Sequence, residues 1–228
     1  MKRLILPLLP VLALLAGCLK QEAYTYSGVE AGTLSSGVFT SDNGTQMTIV
    51  GNEEKYDISS SRRVLISFET RTTTNSGPID IDLLGLLDAH LLQSQPVDVL
   101  PVDPSGSLLQ ISDAWFSKDY LNILASFPGK DINKHTFTTS YSVSEKGISI
   151  RIDHDGSLDT AAGNDLLSVF LCVSMREPVQ SYDQYDWSTS VKPPYPISIL
   201  LQWTDRPQEG GSLALLERKG SYLPPAAN

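Results

Sequence analysis

Short segments in which apolar and polar residues alternate run through most of this sequence, and they constrain its fold more than any other feature. Residues 148–152 are Ile-Ser-Ile-Arg-Ile, and residues 62–73 place Val64, Ile66 and Phe68 on one side of the chain. Alternation with a period of two is typical of a β-strand that buries one face. No segment shows a convincing helical pattern. The sequence therefore predicts an all-β protein.

The strand-like segments fall into two groups, on either side of residues 96–107. Three prolines lie in this stretch, which shows almost no periodicity, and prolines stiffen a linker. We therefore place one β domain at residues 33–95 and a second at residues 108–220, followed by a tail at residues 221–228. Because loop backbone with few hydrogen bonds is the usual site of nicking, we expect limited proteolysis to cut first in the linker.

Both groups contain more specific signals. Residues 33–40 and 46–50 flank Ser41-Asp42-Asn43-Gly44, whose Asn-Gly pair suits a hairpin turn. Residues 83–92 contain enough leucines for a helix, but the alternation that leads into them favours a long strand. The second group contains about seven strands at spacings typical of a β-sandwich. Trp115, in its first hairpin, is predicted to be a core residue.

The N-terminus has the form of a bacterial lipoprotein signal peptide, which we place at residues 1–17. Two basic residues precede an apolar stretch from Leu4 to Ala16, which is too short to span a membrane as a helix. Leu15-Ala16-Gly17-Cys18 resembles a lipobox, in which small residues fit the peptidase and the cysteine thiol accepts a diacylglyceryl group. Cys18 is thus the predicted lipid-attachment residue, and residues 18–32 form a polar tether. An ordinary secreted protein with a chance cysteine is the alternative.

The charge of the chain argues against nucleic acid as a partner. The formal net charge is −9, and cleavage before Cys18 leaves 15 basic residues against 26 acidic ones, or −11. Affinity for phosphate depends on neutralisation by Lys and Arg. Cys172 then has no second cysteine within the fold, and its apolar neighbours indicate a buried, unreactive thiol.

Few residues suggest chemistry. His90, His135 and His154 show none of the close spacing that zinc ligands usually have. Residues 153–159 place aspartates around a glycine as calcium loops do, but without the Glu of an EF-hand, and aspartates beside glycine are more often turn residues. Motifs of hydrolases and nucleotide-binding proteins are absent. We therefore expect no metal, no cofactor and no enzymatic activity.

One aromatic loop is a candidate ligand site. Residues 181–196 contain Tyr182, Tyr185, Trp187 and Tyr195 among Asp and Gln residues. Aromatic faces beside polar side chains suit sugar rings, which makes Tyr182, Tyr185 and Trp187 candidate ligand-binding residues. Alternatively, the rings cover one end of the sandwich. The exposure of Trp187 distinguishes the two interpretations.

The sequence resembles the NigD-like lipoproteins of Bacteroidota along nearly the whole mature chain. The segment from Ile111 to Ile123 contains the family's Asp-x-Trp followed by Tyr-Leu-Asn. His135 is similar to the family's His-containing strand, and Arg151 and His154 to its Arg-His strand, although here Ile152 and Asp153 separate the two residues. The resemblance implies a small OB-like barrel followed by an antiparallel β-sandwich. It implies no activity, because none is established for the family.

These observations favour a non-catalytic lipoprotein of the cell envelope that acts as a binding or assembly module. It would be anchored to the outer membrane through its lipid, with envelope proteins or glycans as partners. The alternative is a surface lipoprotein that binds glycans for a polysaccharide-handling system. A bacteriocin or its immunity partner ranks last, since toxins normally leave the producer and Cys18 would anchor this chain.

Overall fold

The computed structural model describes residues 26–72, 79–159, 165–189, 191–192, 195–206 and 211–225, and these residues form thirteen β-strands and one α-helix. The elements in chain order are β1 (Ser27–Ser35), β2 (Val38–Ser41), β3 (Gln46–Gly51), β4 (Arg62–Thr72), β5 (Ile79–Leu92), β6 (Ser94–Pro96), β7 (Gln110–Ser117), β8 (Tyr120–Pro128), β9 (Thr136–Ser144), β10 (Gly147–Asp155), β11 (Leu166–Ser174), α1 (Arg176–Asp183), β12 (Ile197–Asp205) and β13 (Ala214–Tyr222). The prediction of an all-β protein is confirmed. Helix α1 was not predicted, because eight residues with Pro178 near their start are too few to show a helical period.

Strands β1 to β5 close into a small barrel. Around the barrel the order is β1, β2, β3, β5, β4 and back to β1, and only the β3–β5 pairing is parallel. This is the five-stranded arrangement of an OB-like barrel, as the resemblance implied. Its interior is filled by the inward-facing residues of the alternating strands: Leu34, Phe39, Met47, Ile49, Val64, Ile66, Phe68, Ile81 and Leu83.

The start of the barrel differs from the prediction in two ways. Residues 33–40 form two strands and not one, because Ser36 and Gly37 have φ angles of 49° and 77° and make a tight turn between β1 and β2. The first strand also begins at Ser27, inside the predicted tether of residues 18–32. The glycines at positions 28 and 32 weaken the strand signal there, and pairing with β4 supplies the missing stability.

The remaining strands form a sandwich whose first sheet continues directly from the barrel. The last residues of β5, Ala89 to Leu92, pair with β11, and the sheet continues through β8 to β7. The opposing sheet has the order β13, β12, β10, β9, β6. The sheets are mixed and not purely antiparallel, because the β5–β11, β10–β12 and β6–β9 pairs are parallel. The sandwich includes Ser94–Pro96 and extends to Tyr222, beyond the predicted limits of 108–220.

Strand β11 is covered on both faces, which explains its continuous apolar sequence. Val169, Leu171 and Val173 point into the sandwich core, whereas Phe170 and Cys172 face the outside of the barrel. Trp115 lies on the second side, stacked on Phe170 with ring centroids 6.0 Å apart. It is half-buried at the junction of barrel and sandwich, whereas the partly buried Ala114 and Phe116 pack against the sandwich core.

Residues 96–107 run along the sandwich and are fastened to it. Arg151 of β10 is completely buried, with 0% of its surface exposed. Its guanidinium donates to the carbonyl oxygens of Pro101 (2.7 Å) and Asp103 (3.0 Å) and to Ser105 Oγ (2.7 Å). The linker therefore has internal partners for backbone groups that the sequence suggested were open to solvent.

Candidate functional site

The predicted lipid anchor lies outside the described residues. Cys18 and the signal peptide precede Tyr26, the first residue with a described position. Among the described residues, no helix has the length and apolar character needed to cross a membrane.

The aromatic loop packs onto one end of the sandwich. Tyr182, at the end of α1, is 1% exposed and belongs to the sandwich core. Trp187 is half-buried against the same core, with its ring 5.1 Å from that of Tyr182 and 4.8 Å from that of Tyr185. Its indole N–H donates to the carbonyl oxygen of Tyr182 over 3.3 Å.

This geometry favours the covering role of the loop. Tyr182 cannot present a ring face to a sugar, so its assignment as a ligand-binding residue is corrected to that of a core residue. Tyr185 and Trp187 are half-buried. The Trp187 ring is inclined by 66° to that of Tyr185 and by 71° to that of Tyr182, so the rings pack edge to face and form no flat platform. Of the four aromatic residues in this loop, Tyr195 is the most exposed, and its hydroxyl donates to Asp183 over 2.6 Å.

Two histidines that are distant in the sequence meet where β9 starts and β10 ends. His135 Nδ1 lies 2.8 Å from His154 Nε2, and the two rings are inclined by only 21°. Phe127 and Phe137 cover their ring faces at centroid distances of 4.4 to 4.9 Å. His90 is exposed on β5, and its ring contacts Phe137 edge to face with centroids 5.8 Å apart but is not paired with either of the other histidines.

Each of these histidines has an oxygen partner for its other ring nitrogen. His154 Nδ1 is 2.7 Å from the carbonyl oxygen of Leu108, and His135 Nε2 is 3.2 Å from Asp159 Oδ2. The side chains of His135 and Asp159 are only 2% and 1% exposed. The result is a buried polar chain from Leu108 through both histidines to Asp159, which we call the histidine chain.

The carboxylate at the end of this chain is held in its ionised form. Backbone N–H groups of Lys130 and Asp131 donate to Asp159 Oδ2 over 2.6 and 3.1 Å. These hydrogen bonds, with a smaller contribution from His135, lower the pKa of Asp159 to about 2. Burial, opposed by the bond to Leu108 and reinforced by nearby His135, lowers the pKa of His154.

The acidic residues 153–159 act separately. Asp153 accepts from the Arg151 guanidinium over 2.9 Å, and Asp155 accepts from the backbone N–H of Ser157 over 2.9 Å in a turn. Asp159 joins the histidine chain. Within the described ranges, no group of three or more His, Cys, Asp or Glu side chains is placed to hold a metal ion.

A second polar cluster joins the barrel to the sandwich. Arg63 of β4 makes two hydrogen bonds to Asp42, of 2.8 and 2.7 Å, and donates to Asn122 Oδ1 and Cys172 Sγ on the sandwich. Burial alone would raise the pKa of Asp42, but hydrogen bonds from Arg63 and Ser117 outweigh it and lower the value. Burial raises the pKa of the Cys172 thiol to about 11, as expected of an unreactive cysteine.

The sequence contained a usable signal for the histidine chain. Strands β9 and β10 form a hairpin whose tight turn pairs Ser144 with Gly147, and its register then pairs Phe137 with His154. Extending that register places residue 135 beside residue 156. The hairpin therefore brings into contact two histidines that are 19 residues apart in the sequence. Recognising the hairpin would have predicted this contact, whereas looking for closely spaced metal ligands could not.

Three solved structures share this fold. A NigD-like immunity protein from Bacteroides caccae has a TM-score of 0.58 at 17% identity, with 87% of this chain and 97% of that chain covered. A protein of unknown function from Bacteroides vulgatus has a TM-score of 0.59 at 12% identity, over 88% and 93% of the two chains. A "Putative lipoprotein" from Bacteroides fragilis has a TM-score of 0.56 at 11% identity, over 89% and 100%.

No family model matches the sequence, and no curated protein matches it. At identities of 11–17%, the three structures establish a common fold. The resemblance to NigD-like proteins, first seen in the sequence, is thus confirmed in the arrangement of a barrel and a sandwich along almost the full length of each chain.

Proposed function

We propose that this chain is a NigD-like lipoprotein of the cell envelope, anchored in the outer membrane through Cys18, that binds other molecules and does not catalyse a reaction. The observation that carries the proposal is the lipobox-like segment before a fold shared with a NigD-like immunity protein and with a structure described as a "Putative lipoprotein". The names of these two structures support the location of this chain and its class of protein. The binding role is our own inference from a fold in which we found no catalytic motif.

The path of the chain supports a model in which the barrel is the unit nearer to the membrane. Cys18 precedes Ser27 by nine residues, which span on the order of 30 Å even when fully extended. Ser27 pairs with Glu69, which pairs with Asp82 near the start of β5. The sandwich joins β5 only at Ala89, roughly 24 Å further along the strand. A lipid on Cys18 would therefore join the chain at the end of the barrel that lies away from the sandwich, which supports a sandwich that extends outward from the bilayer.

Lipid attachment is tested by metabolic labelling of cells with a fatty-acid analogue. Cys18→Ala should lose the label and accumulate as precursor, because the acceptor thiol is gone. Cys172→Ser is the matched control, since its buried thiol cannot be a lipid acceptor, and it should retain the label. Label that persists on Cys18→Ala, or that is lost from Cys172→Ser in folded protein, would contradict the assignment.

The binding role is tested by photo-crosslinking in cells from single positions on each unit. Leu158 on the sandwich and Val29 on the barrel are both exposed, at 72% and 63%. A crosslinking residue at position 158 should capture envelope proteins, which mass spectrometry then identifies, whereas position 29 should label lipid or membrane-embedded neighbours. Capture of a protein partner from neither position would contradict a binding or assembly role.

A further inference from the structure

Each contact in the histidine chain needs one hydrogen-bond donor and one acceptor, and this requirement fixes how many protons the two rings carry. The carbonyl oxygen of Leu108 can only accept a hydrogen bond, so His154 Nδ1, at 2.7 Å, carries a hydrogen. Asp159 is ionised and also only accepts, so His135 Nε2, at 3.2 Å, carries a hydrogen as well. Both outer nitrogens of the pair are therefore donors.

The two inner nitrogens then need one proton between them. With both rings neutral, His135 Nδ1 and His154 Nε2 would direct lone pairs at each other across 2.8 Å. With both rings protonated, two N–H groups and two positive charges would face each other. A single shared proton makes an N–H···N hydrogen bond, and its charge is balanced by the Asp159 carboxylate.

The distance identifies the shared cation as a proton. The ring centroids are 5.1 Å apart, so the rings are arranged end to end with the inner nitrogens between them. A tetrahedral zinc ion bound to both nitrogens, with bonds of about 2.0 Å, would separate them by about 3.3 Å. The observed 2.8 Å is a hydrogen-bond distance.

The same pair fastens the end of the linker to the sandwich. Ser107 donates its backbone N–H to the carbonyl oxygen of His154 over 2.6 Å, and Gly156 donates its N–H to Ser107 Oγ over 2.9 Å. Gly106 has a φ of 79°, and a side chain there would lie 2.5 Å from that same His154 oxygen. The backbone of the linker thus approaches His154 as closely as glycine permits.

We propose that the histidine chain is a pH-sensitive clasp: one shared proton keeps the His154 ring in place against residues 106–109, and a second proton separates the two histidines and loosens that segment. The second proton has no place in the closed arrangement, because it would put two donors at the 2.8 Å contact. Separation turns the His154 ring away from His135, which takes Nδ1 from the carbonyl oxygen of Leu108 and weakens the attachment of residues 106–109 to the sandwich. This clasp is independent of the proposed anchor and binding role.

The charged groups around the pair nearly balance, so the opposition to a second proton comes from the 2.8 Å contact itself. From β10 and the turn that follows, Asp155 and Asp159 face the pair, and Asp153 is already bonded to Arg151. Lys134 before β9 and Arg206 after β12 add positive charge, and the contacts from β8 and from the linker are uncharged. A groove of about 300 Å³, lined by both histidines, Gly156, Arg206 and Leu213, reaches the pair from outside and gives water access to it.

Hydrogen exchange of the full chain, followed by mass spectrometry from pH 8 to pH 5 and corrected for intrinsic rates, tests the clasp. The opening constant of residues 106–109 should rise as pH falls, approaching tenfold per pH unit, the slope for uptake of one proton. His90, whose ring contacts Phe137 but forms no part of the hydrogen-bonded chain, supplies the control: His90→Gln should keep the wild-type pH dependence, whereas His154→Gln should remove it. Wild-type exchange in this segment that is independent of pH would overturn the proposal.

Nitrogen-15 spectra of the wild-type imidazoles provide a second measurement that needs no variant. Near neutral pH, His154 should show a protonated Nδ1, and the inner nitrogens should share one hydrogen, which appears as a coupled shift of both signals. Two neutral rings with independent signals would contradict the shared proton. Stoichiometric binding of Zn²⁺ that shifts both inner nitrogens and removes the pH dependence of exchange would also contradict it, and would identify a metal site.

Discussion

Arg63 of the barrel donates a hydrogen bond of 2.8 Å to the side-chain oxygen of Asn122 in the sandwich, while the same guanidinium binds Asp42 through two further hydrogen bonds. The side chains of Arg63 and Asp42 are only 7% and 8% exposed. The ring of Tyr120 lies 4.2 Å from the guanidinium carbon. One arginine therefore neutralises a buried acid and joins the two units of the fold.

Replacing Arg63 with Met should destabilise the protein by about 3–5 kcal/mol. The variant leaves Asp42 buried without its partner, and an uncompensated buried charge is costly. Urea denaturation followed by circular dichroism gives the free energy of unfolding. Because the cluster spans the junction, we expect barrel and sandwich to lose stability together in one transition.

Arg71 is the matched control for this experiment. It lies on the same strand and pairs with Asp82 at 2.7 Å, but its side chain is half-exposed. An exposed ion pair contributes at most about 1 kcal/mol, so Arg71→Met should change little. Equal losses for the two variants would show that burial at the junction does not determine the contribution of Arg63.

Arg151→Met should make residues 96–107 sensitive to proteases. The wild-type linker is held by three hydrogen bonds from this buried guanidinium, so it should resist cutting better than its proline-rich sequence suggests. Limited proteolysis with mass mapping of the first cut measures this. Arg176→Met, at an 80% exposed side chain, should leave the cutting pattern unchanged. Rapid first cutting of the wild-type linker would contradict this prediction.

Alternation was sufficient to predict the strands that bury one face. Residues 62–72 and 79–92 form strands as expected, and the Ser117–Tyr120 turn joins β7 to β8. The position of Trp115 was harder to predict. A shift of register between Ile111 and Asp113 changes which residues of β7 share a face. In addition, the local sequence does not show which face of a sandwich strand packs against the barrel.

The hairpin register was a usable signal for the two histidines, but the rest of the candidate site was beyond local patterns. His135 and His154 are brought together by a hairpin, and Leu108 and Asp159 come from two separate connecting segments. Each residue alone has an ordinary structural explanation. Their joint requirement for one proton exists only in the folded arrangement, because it depends on which nitrogen faces which oxygen.

Trp187→Ala should lower the free energy of unfolding by about 2 kcal/mol, less than the loss of a fully buried Trp, because the ring is half-buried on the sandwich core. Val191→Ala, in the same loop at a 92% exposed residue, should change stability by less than about 0.5 kcal/mol. Affinity electrophoresis in polysaccharide gels should show no retention that depends on Trp187. Lost retention with unchanged stability would instead support the glycan-binding alternative.

Acid should destabilise the protein partly through Asp159. Its pKa is about 2 in the folded protein and near 3.8 in the unfolded chain, so ionisation favours the folded state above about pH 4. That contribution is lost as the pH falls from about 4 to about 2, because the folded protein must then bind a proton at a carboxylate that already accepts two backbone hydrogen bonds.

Asp159→Asn separates this contribution from general acid effects. The variant should be less stable than the wild type at pH 7 and should lose less stability between pH 4 and pH 2, because the titrating group is gone. Asp98→Asn, at an exposed residue of the linker, should keep the wild-type slope. Urea midpoints at each pH measure both quantities. An unchanged acid slope in Asp159→Asn would show that this carboxylate does not couple folding to pH.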